Sequence, residues 1–197
     1  MYKRFKWNPE IRFDNRAFLP LLKMPKGSKV FVGSTIELFG DWVGADEANY
    51  IMRQVRNFPN LTFIFLTKQP QNLIKWSPFP ENCWVGVSAT NYWQATDACG
   101  WLDNVDANVK FLSIEPLLAW SSDKLNTSAA KNWFSDLNWV IIGQQTPPSK
   151  KTAPKLEWIK EIVEAADKAS VPVFLKNNLN NFRTYIPLYP LRQEFPK

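Results

Sequence analysis

Val109-Lys110-Phe111-Leu112-Ser113-Ile114 is an apolar stretch of strand length that runs directly into Glu115 and Pro116. Five more stretches share its character: Lys29–Gly33 (KVFVG), Leu61–Thr67 (LTFIFLT), Trp84–Ser88 (WVGVS), Trp139–Gly143 (WVIIG) and Val171–Leu175 (VPVFL). Each is rich in β-branched or aromatic residues and nearly continuous in its apolar character. Strict alternation would mark a strand with one face in water. Continuity marks parallel strands covered on at least one face by helices.

The segments between them have helical character. Asp46–Phe58 carries Ile51, Met52 and Val55 at helical spacing, and Gln71–Trp76 is a short turn of helix. Thr90–Leu102 carries Tyr92, Trp93, Ala95, Thr96, Cys99 and Leu102, and Ser128–Leu137 carries Trp133, Phe134 and Leu137. Lys155–Ala169 has the clearest apolar face, from Trp158, Ile159, Ile162, Val163, Ala165 and Ala166, with Pro154 suited to its opening turn. Strand–helix alternation of this kind predicts an α/β fold with right-handed crossovers. Two architectures fit, an open doubly wound sheet or a partial (β/α) barrel. No GxGxxG or P-loop occurs and only 7 glycines are present, which disfavours a dinucleotide-binding sheet. The expectation is a partial (β/α) barrel of about six parallel strands, related to TIM barrels. The chain reads as a single α/β domain over 1–197, with an irregular N-terminal wrap (1–28), a β/α core (29–177) and an irregular tail (178–197).

Composition narrows the chemistry. Among 197 residues there is no histidine, so Ser-His-Asp and Cys-His catalysis, HExxH zinc sites and Cys2His2 fingers are excluded within this sequence. Cys83 and Cys99 form no CxxC, and two thiolates do not hold an iron–sulfur cluster by themselves. They read as buried, inert thiols, and no metal site is expected. No apolar run approaches membrane-spanning length and the N-terminal residues lack a signal-peptide core, so no membrane association and a cytoplasmic location are expected. The net charge of +6 is compatible with a polyanionic partner, and many of the cations lie in the N-terminal third.

Parallel α/β folds place their chemistry at the carboxyl ends of the strands. Reading the residues just past each strand gives Ser34 and Glu37, Thr67 and Lys68, Ser88 and Thr90, Ser113 and Glu115, Gln144 and Thr146, then Lys176, Asn177 and Asn178. Ser34, Glu37, Lys68, Ser88, Glu115, Gln144 and Lys176 are the candidate ligand-binding set. They suit a small anionic or zwitterionic ligand, with lysines for a carboxylate or phosphate and carboxylates for an ammonium or for hydroxyls. Glu115 and Lys176 are equally readable as a structural ion pair or as an acid/base pair.

Several motifs occur in order: Gly33-Ser34-Thr35-Ile36-Glu37-Leu38-Phe39, Phe65-Leu66-Thr67-Lys68-Gln69-Pro70, Trp84-Val85-Gly86-Val87-Ser88, Lys110 to Leu118, Trp139 to Gly143, and Val171 to Asn177. Together they resemble an uncharacterised family of phage and prokaryotic proteins related to the radical S-adenosylmethionine superfamily, from roughly Trp7 to Asn178. The resemblance implies an active site at the strand carboxyl ends. In relatives that carry an upstream three-cysteine segment it implies a [4Fe–4S] cluster and S-adenosylmethionine as cofactors. The sequence departs from that pattern where it matters most, because no three-cysteine motif precedes Trp7. The fifth stretch also ends Gly143-Gln144-Gln145-Thr146-Pro147, where many relatives have Gly-Gly-Glu-Ser-Gly. The expectation is therefore a degenerate, split or truncated member. It would bind no cluster, keep at most ligand binding, and perform no radical chemistry as an isolated chain. The rival readings are a basic nucleic-acid or phage-associated binding module and an acid/base enzyme using Glu115 and Lys176. An incomplete barrel also leaves the strand beginning at Lys29 as an edge, expected to be covered by residues 1–28 or by a partner chain, a dimer included.

Overall fold

The computed structural model describes residues 15–34, 36–120, 134–182 and 191–196. Its centre is one parallel sheet of six strands: β1 (Lys29–Val32), β2 (Thr62–Thr67), β3 (Cys83–Asn91), β4 (Val109–Ala119), β5 (Trp139–Ile142) and β6 (Val173–Leu175). Spatial order equals chain order, β1-β2-β3-β4-β5-β6. A doubly wound sheet reverses its order part-way, because its helices cover both faces. A strictly sequential order keeps every crossover on one face and curls the sheet, so this is a half-barrel. Helix α1 (Ala45–Arg56) joins β1 to β2, α2 (Tyr92–Asp103) joins β3 to β4, and α3 (Leu156–Lys168) joins β5 to β6. A short 3₁₀ turn, Pro70–Trp76, joins β2 to β3. The helix expected over Ser128–Leu137 falls largely outside the described residues; Phe134–Asp136 form a turn.

Several boundaries differ from those expected. β3 and β4 run on past Ser88 and Ile114, because Asn91 still pairs with Ala119 after a shift in register between Ala89 and Asn91. The second apolar helix starts at Tyr92 rather than Thr90, since the Asn91 side chain caps it by accepting from the Gln94 N–H. The helix predicted from Lys155 begins one residue later, so Pro154 precedes the cap rather than sitting in the first turn.

The period-2 alternation of a strand sorts side chains between two faces. On the helix side, Phe63 and Phe65, Val85 and Val87, Leu112 and Ile114, Val140 and Ile142, and Val173 and Leu175 share one core with Val55, Ile159 and Ile162 from the helices. Burying one such side chain contributes about 1.5–3 kcal/mol. Phe39 is the hub of an aromatic group here, edge-on to Phe65, Trp76 and Phe79. Asn82 ties the α1–β2 connection down, its amide within 3.0–3.1 Å of the Val55, Phe58 and Leu61 carbonyls.

The concave face is different. Toward the amino ends of the strands it is filled by Trp84, Phe111, Trp139 and Phe174, with Phe195 laid against Trp139 and Phe174. Gly86 makes this floor possible: a Cβ there would lie 2.3 Å from the tip of the Phe111 ring. The segment 191–196 returns antiparallel beside β6, where Leu175 N donates to Arg192 O and Glu194 N donates to Val173 O. Trp139 Nε1 donates to Glu194 O at 2.7 Å, and Arg192 pairs with Asp167 and Glu194 at 2.6 and 2.8 Å. One edge of the half-barrel is thereby capped.

At the other edge β1 pairs with β2, and among the described residues no strand pairs its far side. Phe18 and Leu21, from the 3₁₀ segment Asn15–Lys23, pack into the core beside α1, while Phe31 is half exposed. Residues 1–14, which the expected cover includes, lie outside the described residues.

Candidate functional site

The carboxyl ends of β4, β5 and β6 bring Glu115, Gln144, Lys176 and Asn178 together. Glu115 and Lys176 both point to the concave face, two residues past Ser113 and Phe174. Lys176 Nζ lies 2.7 Å from Glu115 Oε1 and 2.8 Å from Oε2, so the ammonium bridges both oxygens. The pair spans β5 because Gly143 directly follows that strand, where a Cβ would stand 2.8 Å from Glu115 Oε1. The ladder holds this geometry past the strand ends: Gly143 N donates to Ile114 O, Leu117 N to Gly143 O, and Lys176 N to Ile142 O. The side chains of Lys176 and Glu115 are 42% and 25% exposed, so solvent and solutes reach the pair.

Asn178 organises the neighbourhood. Its Nδ2 donates to Gln144 O at 2.7 Å and lies 3.4 Å from Glu115 Oε1. Its Oδ1 accepts from Gln144 N, and its backbone carbonyl accepts from Gln144 Nε2. Gln144 is buried, and its backbone N–H, backbone carbonyl and Nε2 are all engaged with Asn178, which ties the loop after β5 to the end of β6. Ser88 Oγ donates to the Glu115 carbonyl at 3.4 Å and links the group to β3.

On the far side of Ser88 a cleft of about 200 Å³ opens between β2, β3 and α2, lined by Lys68, Ser88, Thr90, Gln94 and Asp97. The candidates near β1 behave otherwise. Glu37 Oε1 accepts from Thr67 Oγ1 (2.7 Å) and Phe39 N (3.2 Å), and Oε2 accepts from Lys68 N (2.8 Å). Thr67 lies on the helix side of β2, so Glu37 clamps the β1–α1 loop onto β2 rather than facing the concavity. Ser34 is exposed at the start of that loop.

A larger cavity, about 430 Å³, lies at the opposite end of the sheet between α3 and the segment 191–196. It is remote from the strand carboxyl ends.

A model of one protein family matches residues 2–184. The chain belongs to the family described as proteins of unknown function, DUF5131. Comparison with curated proteins and with solved structures gave no match. In this family member, sequence reasoning placed Glu115, Lys176, Gln144 and Ser88 at strand ends, and the structure brings these four into one group. It separates Glu37 and Ser34 from them, and it puts Lys68 in the adjoining cleft. Asn178 was visible as a strand-end residue but was not in the ligand set. Gln94 and Asp97 were missed, since they reach the cleft from a helix face rather than a strand end.

The residues described do not fit an iron–sulfur cluster. Cys83 starts β3 and Cys99 lies on α2; both are buried in the helix-side core. Burial pushes both thiols up to about 12, with Arg56 partly opposing this at Cys83 and Asp103 and Asp136 reinforcing it at Cys99. Thiolate ligands would have to come from elsewhere. Among the described residues no three His, Cys, Asp or Glu side chains gather to hold a metal ion, and no helix is long and apolar enough to cross a membrane.

Proposed function

We propose that the half-barrel binds a small zwitterionic ligand at the carboxyl ends of β4–β6, in the manner of a radical-S-adenosylmethionine-related barrel that keeps a ligand site without cluster ligands of its own. The observation that carries this reading is the partly exposed pair of opposite charges formed by Glu115 and Lys176. An amino-acid headgroup presents the complementary pair: its ammonium replaces Lys176 on Glu115, and its carboxylate takes Lys176. The exchange gives up one ion pair and forms two, so neither Glu115 nor Lys176 is left without a counter-charge when the ligand binds. Asn178 steadies Glu115, and Ser88 joins the pair to the neighbouring cleft, which has room for the rest of a ligand. The resemblance noted above supports S-adenosylmethionine as the ligand. No redox step is assigned to this chain, because its cysteines are core thiols. Its own residues bind and orient.

Calorimetric titration with S-adenosylmethionine tests this. Saturable heat is expected for the wild type. A charge-assisted hydrogen bond contributes about 1.5–3 kcal/mol, so Glu115→Gln and Lys176→Gln should each weaken binding by about 10- to 100-fold. Absence of heat and of any thermal shift at about millimolar ligand would overturn the reading, leaving Glu115 and Lys176 as a structural bridge.

A further inference from the structure

The cations of this protein are not spread evenly. One corner of the half-barrel contains the 3₁₀ segment Asn15–Lys23, the loop into β1, β1 itself, the second half of α1 and the α1–β2 connection. These parts are in contact: Gly27 N donates to Asn60 O at 2.8 Å, Thr62 N donates to Ser28 O at 3.0 Å, and Phe18 meets Tyr50 edge-on at 6.0 Å. Residues 15–33 and 48–62 hold Arg16, Lys23, Lys26, Lys29, Arg53 and Arg56, and not one Asp or Glu. All six cations are exposed. Along the chain the carboxylates that border these stretches are Asp14, Glu37, Asp46 and Glu47 in the first turn of α1, and Glu81 ahead of β3. Lys29 turns its ammonium to the concave floor, 5.0 Å from the Phe195 ring and 5.5 Å from the Trp84 ring; Lys23, Lys26, Arg53 and Arg56 carry the positive field of the outer corner.

We infer that this corner is a docking surface for a nucleic-acid backbone. Tyr50, Arg53 and Arg56 follow one another at three-residue spacing and form a stripe along α1, with the Arg53 guanidinium 5.8 Å from the centre of the Tyr50 ring. A phenol ring and two guanidiniums in line suit phosphates and stacked bases better than lysine point charges would, because guanidinium is planar, binds phosphate oxygens in pairs and stacks. Lys23 and Lys26 extend the cationic path across the preceding loop. The contacts are with phosphates, so binding is insensitive to sequence and steeply salt-dependent. Leu19 and Leu22 are also exposed on this corner (58% and 72%), and they are what an anionic lipid surface would use instead.

The experiment is fluorescence anisotropy with a labelled single-stranded oligonucleotide of about 20 nucleotides, from about 50 to 200 mM salt. Four phosphate contacts predict a log–log slope near −3 for single strands. The variant Lys23→Glu/Lys26→Glu/Arg53→Glu/Arg56→Glu should lose at least about tenfold in affinity and most of that slope. Its circular dichroism should be unchanged, since all four side chains are exposed; if that variant fails to fold, Arg53→Gln/Arg56→Gln serves with a smaller expected loss. Lys150→Glu/Lys151→Glu, in the β5–α3 loop, is the control and should bind as the wild type does. No binding at the lowest salt overturns the inference. So does an equal loss in the control, or binding to phosphatidylserine vesicles without binding to the oligonucleotide.

Discussion

Replacing Gly86 by alanine tests the aromatic floor of the concave face with one methyl group. The new Cβ would stand 2.3 Å from Phe111 Cζ and 2.4 and 2.5 Å from the two Cε atoms, all well inside contact distance. The ring has little room to retreat, because Phe111 is 1% exposed and packs on Trp139 at 5.6 Å. Two effects oppose each other. Alanine in a strand interior is favoured over glycine by about 0.5–1 kcal/mol through chain entropy, whereas overpacking a filled core costs about 1–3 kcal/mol. The net expectation is a loss of about 1–2 kcal/mol, or roughly 2–8 °C in melting temperature for a chain of this size. Phe111→Leu removes the ring atoms in conflict. In that background Gly86→Ala should become neutral or stabilising, giving a coupling of at least about 1 kcal/mol in the double-mutant cycle. Denaturant titration of the four proteins measures it. Additive effects, or a stabilised Gly86→Ala single variant, would refute the claim that the Phe111 ring occupies the space above Gly86.

Three further outcomes are expected. Both thiols should resist alkylation in the native protein at pH 8 and react on unfolding; because their folded values are raised from 9.0 to about 12, stability should fall as pH rises through that window, and an alkaline melting series showing no decline would contradict the burial. Asn82→Ala should cost about 1–3 kcal/mol by removing the amide that ties three carbonyls together, of which Val55 O and Phe58 O keep a backbone N–H donor, read by urea unfolding. Trp139→Phe removes the indole N–H that holds Glu194 O, so limited proteolysis should cut the 191–196 segment faster than in the wild type while the strand core stays intact.

The architecture was legible because each strand is a continuous apolar run, a local property that survives without knowledge of the fold. Chain order could have been arranged either as a barrel or as a doubly wound sheet, and the scarcity of glycine pointed to the barrel. The site was legible to the level of strand ends and no further. Whether a residue past a strand faces the concavity depends on its parity and on the ladder continuing beyond the strand. Glu115 and Lys176 follow their parity, whereas Glu37 turns back to Thr67 because backbone N–H groups of the loop need an acceptor there. The floor was not legible at all. Trp139 and Phe174 read as ordinary strand residues, and nothing local announces that Phe195 joins them or that Gly86 is small for the sake of Phe111.

That floor has a consequence for how the protein is made. Trp139 waits for an acceptor 55 positions further along the chain. At about 5–20 residues per second of synthesis, the wait is roughly 3 to 11 s. During it the concave face of the nascent sheet shows Trp84, Phe111 and Trp139 without their last neighbours, an aromatic surface open to chaperones and to other nascent copies. Translation speed between Trp139 and Glu194 is therefore a variable in the yield of folded protein, and slow codons there would lengthen the exposure.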